Sequence, residues 1–254
     1  MAGSHVHALY RHRAGPLHAV APQVKLAATL LFVLAVVATP REAFWAFGAL
    51  AVLLAALTAA GRVPPGFVAR RLVVEIPFVL FAVFLPFVGT GERTEVLGMS
   101  LSIAGLWAAW NILAKATLGA WASILLAATT QVPDLLEGFR RLRAPRVITS
   151  IMGFMIRYLD VIVGEWNRMR VALRSRAYRP RSLRNARPLA AASGALFVRS
   201  FERGERVYLA MLSRGYRGEM PDLGTSGAAA MHWVGAAAVV AVAAAIAALG
   251  WVTR

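Results

Sequence analysis

Long apolar stretches, each closed by turn-forming residues, run along most of this chain. A helix that crosses a membrane needs about 20 mostly apolar residues. Thr39-Pro40 and Gly89-Thr90-Gly91 mark two points at which such stretches end. The pattern predicts five membrane-spanning helices. Their predicted bounds are Leu26–Ala38, extending back past Lys25, then Phe44–Ala60, Leu72–Val88, Leu101–Thr129 and Ala228–Val252.

A different pattern occupies residues 130–227, where apolar residues recur every three or four positions. That spacing is typical of amphipathic helices with one apolar face. It predicts one long helix after Pro145, a second over Leu189–Leu212, and a shorter one over Pro133–Leu142. The connector Arg179–Pro188, rich in proline and arginine, separates the two long helices. The apolar positions of the first long helix are Ile148, Ile151, Met152, Met155, Leu159, Ile162, Val163, Trp166, Met169 and Leu173.

The composition agrees with lipid as the solvent for much of the chain. Of the 254 residues, 59% are hydrophobic and 16% are charged, whereas soluble domains carry about 25% charged residues. The net charge of +16 is typical of proteins that meet nucleic acid, a membrane surface or an acidic partner. The absence of cysteine excludes disulfides and thiolate sites. The N-terminus does not have the pattern of a cleaved signal peptide.

The distribution of basic residues predicts the orientation in the membrane. Lys and Arg concentrate in the N-terminal tail and in the second loop, whereas the first and third loops balance Arg with Glu. Because cytoplasmic loops are enriched in Lys and Arg, the tail and residues 130–227 are expected in the cytoplasm. We therefore expect an all-α, multi-pass protein of the cell membrane. Its expected parts are a tail (1–25), four spans (26–129), a cytoplasmic helical region (130–227) and a last span (228–254).

Two similar motifs close the long amphipathic helices. Ser175-Arg176-Ala177 is followed by Tyr178-Arg179, and Ser213-Arg214-Gly215 is followed by Tyr216-Arg217. One interpretation is a helix C-cap, in which Gly adopts the left-handed conformation and Arg interacts with the helix dipole. Capping accounts poorly for Ala177 and does not require Tyr-Arg twice. In the other interpretation, an Arg held at each helix tip pairs with a carboxylate in a partner's groove.

The run from Glu205 to Pro221, with Ser213-Arg214-Gly215 inside it, resembles the signature of CbiQ-type T components. These are the transmembrane coupling subunits of cobalt and nickel energy-coupling-factor (ECF) transporters. Pro22–Leu26 resembles the opening motif of that family, and the paired motifs resemble its two Ala-Arg-Gly-like motifs, with Ser in place of Ala. The resemblance extends over the whole chain.

The resemblance implies a non-catalytic subunit that couples two ABC-type ATPase subunits to a substrate-binding, CbiM-like membrane subunit, with a small CbiN-like subunit as a further partner. ATP is then used by the ATPases, and the metal binds the CbiM-like subunit, so no cofactor or metal is expected in this chain. Accordingly, the sequence has no phosphate-binding Gly-x-x-x-x-Gly-Lys-Ser/Thr loop. The residues expected to couple to the ATPases are Ser175, Arg176, Ala177, Ser213, Arg214 and Gly215, supported by Tyr178, Arg179, Tyr216 and Arg217.

Several polar residues are given no role. The histidines His5, His7, His12 and His18 are interpreted as part of a tail rather than as a metal site, and His232 as an interfacial residue. Within the predicted spans, Glu75 is interpreted as a partner of Arg70 and Arg71, and Lys115 as a residue that snorkels or bonds to a neighbouring helix. Asn111 is noted as a third polar residue of the spans. Pro77 and Pro86 are expected to kink the third span.

Other functions stay open. The same architecture could serve nickel, biotin or another vitamin, although five spans favour the metal group. A different class of function is a membrane-anchored basic module that binds nucleic acid or anionic lipid through its arginines. That module would depend strongly on salt and would give no special role to Arg176 or Arg214. A membrane enzyme is not supported by any convergent set of His, Asp and Ser.

Overall fold

The computed structural model describes residues 15–90, 92–96, 99–178, 186–218 and 228–253. The described residues are almost entirely helical and form two compact units. The apolar unit contains residues 15–138 and 228–253, and the arginine-rich unit contains residues 139–218. With several helices apolar enough to cross a bilayer, the chain is an all-α polytopic membrane protein, as predicted.

The apolar unit contains seven α-helices in full and the start of an eighth among its described residues. They are α1 (Pro16–Ala19), α2 (Pro22–Ala38), α3 (Phe44–Ala60), α4 (Pro65–Arg71), α5 (Ile76–Val88), α6 (Ile103–Thr129) and α10 (Ala230–Val252), and the unit boundary falls within α7 (Val132–Arg141). A 3₁₀ turn, Leu72–Glu75, joins α4 to α5. The arginine-rich unit contains α8 (Arg146–Ser175) and α9 (Arg187–Leu212).

Among the described residues, length and composition allow four helical stretches to cross a membrane. They are Pro65–Val88, Ile103–Thr129, Arg146–Ser175 and Ala230–Val252. The apolar helices α2 and α3 have 17 residues each, which at 1.5 Å per residue is roughly 25 Å. The bounds predicted for α3 are confirmed, and α2 extends back past Lys25 as expected. By length and composition alone α8 falls in the same class, although the sequence analysis assigned it to the cytoplasmic region.

The third predicted span begins earlier than expected. Helix starts at Pro65 rather than at Leu72, because a proline in the first helical turn needs no N–H donor there. The helix narrows to the 3₁₀ form just before Pro77, and Pro86 lies inside α5. A proline cannot donate the i→i−4 hydrogen bond, so Pro77 explains the position of the 3₁₀ turn.

A short β-hairpin precedes α6 and was not predicted. Strands Arg93–Val96 and Met99–Ser102 pair antiparallel, with Arg93 opposite Ser102. Ser102 then caps α6, because its Oγ accepts a hydrogen bond from the backbone N–H of Gly105 at 3.3 Å. The helix therefore starts at Ile103 instead of Leu101.

The core of the apolar unit lies between α2, α3, α6 and α10. Phe32, Leu50, Leu54 and Leu118 pack there with small side chains of α10 such as Ala243. Small residues allow helix backbones to approach closely, which is how helices associate in a membrane.

The two ends of the apolar unit differ in chemistry. At one end, three indole N–H groups donate hydrogen bonds: Trp45 to the Oγ1 of Thr253, Trp110 to the carbonyl of Arg41, and Trp251 to the carbonyl of Ala38. Tryptophan is enriched where a membrane meets water. The start of α2 and the end of α6 lie together at the other end, where Lys25 donates to the carbonyl of Thr129 at 2.9 Å.

Candidate functional site: two matched helix ends

The end of α8 forms a Schellman motif. The N–H of Tyr178 donates to the carbonyl of Leu173 at 3.0 Å, and the N–H of Ala177 donates to the carbonyl of Arg174 at 3.0 Å. Ala177 has a φ of 57°, the left-handed conformation that this motif requires. The Oγ of Ser175 donates to the carbonyl of Ala172 at 2.9 Å. Arg176 is therefore the C-cap residue of α8.

The end of α9 repeats this geometry bond for bond. The N–H of Tyr216 donates to the carbonyl of Met211 at 3.0 Å, and the N–H of Gly215 donates to that of Leu212 at 2.9 Å. Gly215 has a φ of 82°. The Oγ of Ser213 donates to the carbonyl of Ala210 at 2.9 Å. Arg214 thus precedes the left-handed residue of its cap as Arg176 does in the other, and helix α9 itself ends one residue earlier in the motif, at Leu212.

Capping explains more of the motif than the sequence analysis allowed. Ala177 adopts the left-handed conformation despite its Cβ, which opposes the expectation that capping fits Ala poorly. In each cap the N–H of the Tyr donates to the carbonyl five residues before it, so the residue after the small one is part of the motif. Capping therefore explains the backbone conformation of both motifs, but it does not explain why each motif carries an arginine side chain.

Both cap arginines lie at the surface of the unit. Arg176 and Arg214 are exposed, and neither forms an ion pair within the described residues. Each sits at the negative end of a helix dipole, which stabilises a cation there, and the cap fixes its backbone. A guanidinium presented in this way can form two parallel hydrogen bonds with a carboxylate.

The supporting residues divide into three cases. Tyr178 and Tyr216 are half-buried at equivalent positions, and Arg217 is exposed. Arg179 lies outside the described residues. The structure therefore brings a Ser, an exposed Arg, a small residue and a Tyr together at each helix end.

Contact between α8 and α9 includes an ion pair that the sequence analysis did not identify. The Nη2 of Arg203 donates to the Oε1 of Glu165. Glu165 is the more buried of the two, with 13% of its side chain exposed. A pair of residues 38 positions apart in sequence leaves no local signal that could have identified it.

Polar residues of the apolar unit bond mainly to helices beside them. The Oε2 of Glu75 accepts from the Oγ1 of Thr117 at 2.9 Å, so Glu75 does not pair with Arg70 or Arg71 as expected. The Nζ of Lys115 donates to the carbonyl of Val37 at 2.8 Å, which confirms the expected bond to a neighbouring helix. The Oδ1 of Asn111 is buried without a partner among the described residues.

Side chains that can bind a metal ion are not clustered in the described parts of the chain. No group of three or more His, Cys, Asp or Glu that could hold a metal ion occurs in the described parts of the chain. His5, His7 and His12 lie outside those parts, and His18 follows the start of α1.

Comparison with known proteins identifies the family of this chain. A family model described as CbiQ, cobalt transport protein, matches residues 14–223. The cobalt transport protein CbiQ of Rhodobacter capsulatus is 29% identical over 150 residues, which are 57% of this chain and 62% of that protein.

Two uncharacterized proteins of Methanocaldococcus jannaschii are also similar. One is 35% identical over 109 residues, 42% of this chain and 41% of that protein. The other is 24% identical over 224 residues, 84% of this chain and 76% of that protein. The chain thus spans less than two thirds of the length of some of these relatives. Because the family model extends over most of the chain and includes both helix ends, this protein belongs to the CbiQ family of cobalt transport proteins.

Proposed function

We propose that this chain is the transmembrane coupling (T) subunit of an ECF-type ABC importer for cobalt. It transmits the ATP-driven motion of two ATPase subunits to a separate, substrate-binding membrane subunit. The observation that carries the proposal is the pair of identical caps, each presenting an exposed arginine. Two equivalent tips fit a partner that offers two equivalent acidic grooves, such as a pair of ATPase subunits.

The exposed apolar faces of the arginine-rich unit support a second contact. Ile148, Ile151, Met155 and Leu159 recur along one side of α8, and each is exposed. An apolar stripe of this kind is typical of a helix that binds a partner or a membrane surface. The substrate-binding membrane subunit would cover this stripe, so that movement of the helix ends is passed to the subunit that holds the metal ion.

The direction of the chain in the membrane follows from its charges. Lys25 lies near the start of α2, Arg62 lies between α3 and α4, and Arg70 and Arg71 end α4. Positive charges at the ends of spans stay on the cytoplasmic side. Both cap arginines would then be on the side where ATP is available. Cobalt is supported by the name of the family and of its Rhodobacter capsulatus member, with nickel as the alternative ion.

Retention of the ATPases on the purified chain tests the proposal. The full chain carries the tag and is co-expressed with a pair of ABC-type ATPase subunits of an ECF transporter from the same organism. Arg176→Glu with Arg214→Glu should release the ATPases while the protein remains folded in detergent. Loss of one partner of a buried interfacial ion pair costs about 2–5 kcal/mol, so reversal of both charges should abolish retention.

A matched control changes the same charge away from the tips. Arg170→Glu with Arg199→Glu alters one exposed arginine of α8 and one of α9 and should keep the ATPases bound. If the chain instead binds nucleic acid or anionic lipid, the two double variants should behave alike, because such binding depends on total charge and on salt concentration. Equal effects of the two double variants, with the ATPases retained by both, would contradict the coupling function.

A further inference from the structure

The ion pair between α8 and α9 joins equivalent positions of the two repeated segments. Glu165 lies eleven residues before Arg176, and Arg203 lies eleven residues before Arg214. The two members of the pair are therefore separated by the same 38 residues that separate the two motifs. An approximate two-fold axis through the ion pair would bring equivalent positions of α8 and α9 together in this way.

The pattern of burial supports the same axis. The half-buried residues of α9 are Ala192, Leu196, Ser200, Arg203, Val207 and Met211. Their counterparts 38 positions earlier are Phe154, Tyr158, Ile162, Glu165, Met169 and Leu173, and five of these six are half-buried. The face that α9 packs therefore recurs on α8 in the same register, and α8 has nine further half-buried residues whose counterparts in α9 are exposed.

The packing between the helices leaves their angle weakly fixed. No residue of α8 or α9 is fully buried, so side-chain interdigitation contributes little to the contact. Within the described residues Glu165 bonds only to Arg203. A charge-assisted bond to a largely buried carboxylate is stronger than a neutral one, so this pair has a large share in holding the two helices together.

We propose that Glu165 and Arg203 are positioning residues whose ion pair sets the angle between α8 and α9 and thereby the separation of Arg176 and Arg214. The inference rests on the proposed function, in which those arginines bind two ATPase subunits. Eleven residues of helix extend about 16 Å, so a rotation of about 10° at the ion pair would move each tip by about 3 Å. A shift of that size is enough to break a hydrogen bond.

A distance between the two helices tests the inference directly. The chain has no cysteine, so Val171→Cys with Leu209→Cys provides two sites for spin labels. Both positions are exposed, at 64% and 63%, and they are equivalent under the 38-residue shift. Double electron–electron resonance is then recorded on the full chain in nanodiscs without any partner.

Three variants are made in the labelled chain. Glu165→Arg places two guanidinium groups opposite each other and should broaden the distance distribution and move its maximum. Glu165→Arg with Arg203→Glu restores an ion pair of reversed sense and should return the distribution to that of the parent. The control, Glu202→Arg with Arg206→Glu, exchanges an exposed pair within α9 and should leave the distance unchanged.

Each possible result either supports the inference or overturns it. An unchanged distance in Glu165→Arg, or a changed distance that the double exchange does not restore, would overturn it. If Glu165→Arg does not fold, Glu165→Gln keeps the shape without the charge and should still broaden the distribution. If the ion pair only stabilises the contact between the helices, these variants should have a lower melting temperature and an unchanged distance.

Binding of the ATPase pair is the second readout and separates the two proposals. Glu165→Arg should bind the ATPases about tenfold more weakly, a size common for coupling through a positioned element, and the double exchange should restore binding. If the parent chain binds no ATPase, the proposed function fails while the distance result still decides whether the ion pair sets the angle. If binding is lost and the distance is unchanged, the positioning role fails alone.

Discussion

The ammonium nitrogen of Lys25 lies 2.9 Å from the carbonyl oxygen of Thr129, to which it donates a hydrogen bond. Thr129 is the last residue of α6, so its carbonyl has no partner within the helix. The same nitrogen also lies 3.4 Å from the carbonyl of His18. One side chain near the start of α2 thus satisfies the carbonyl at the end of α6 and also reaches the carbonyl of His18.

Lys25→Met should therefore lower the stability of the apolar unit. A buried acceptor left without its donor costs about 1–3 kcal/mol, and Lys25 itself is only 9% exposed. Thermal unfolding of the detergent-solubilised chain measures the change. Arg70→Met, an exposed cation of α4, is the control and should have little effect. Equal melting temperatures for Lys25→Met and the parent would contradict this role.

Gly105→Ala should destabilise the contact between α5 and α6. A Cβ at this position would lie 2.5 Å from the carbonyl oxygen of Leu85 and 2.8 Å from the Cα of Pro86, so the two helix backbones would have to separate. Overpacking of this kind costs about 1–3 kcal/mol or more. Gly119→Ala is a matched control on the same helix, because its Cβ would meet nothing within 4 Å. If both variants lose a comparable fraction of folded protein, the backbones of α5 and α6 do not approach closely at Gly105.

The two caps should respond in opposite directions to an exchange of their small residues. Ala177→Gly removes the strain of a positive φ and should stabilise the end of α8, whereas Gly215→Ala introduces that strain and should destabilise the end of α9. Each change is about 1 kcal/mol. Hydrogen exchange of the amides of Tyr178 and Tyr216, which close the caps, reports the effect. Slower exchange after Gly215→Ala would contradict the cap geometry.

Labelling of introduced thiols should distinguish a cytoplasmic α8 from a membrane-crossing one. Asp160 is exposed in α8 and Thr253 follows α10. With the orientation proposed above, a thiol from Asp160→Cys reacts with an impermeant maleimide only in inverted membrane vesicles, and one from Thr253→Cys only in intact spheroplasts. A thiol at position 160 that is protected in both preparations would place α8 in the bilayer.

The sequence predicts most helices of this fold well, because a local pattern of apolar residues specifies each of them. The bounds of α3 follow from an unbroken apolar run, and those of α8 and α9 follow from apolar residues at helical spacing. The start of α4 was missed because Pro64-Pro65 has the composition of a turn, although Pro65 begins a helix. The hairpin was missed because its two strands have only four residues each.

The candidate site is predictable in its parts and not in its arrangement. The repeated Ser-Arg-small-Tyr sequence identifies both helix ends, and their exposure agrees with that prediction. The left-handed conformation of Ala177 cannot be read from a residue that normally avoids it. The pairing of Glu165 with Arg203 depends on how two helices meet, which residues 38 positions apart in sequence do not specify.

The lack of any fully buried residue in α8 and α9 bears on how the number of subunits is controlled in the cell. Helices without an interior of their own open easily, and local opening is the route by which proteases cut folded proteins. With the partners proposed above, a copy made without them would therefore be degraded sooner than an assembled one. Selective removal of unassembled copies would keep the amounts of the subunits in proportion without any dedicated regulator.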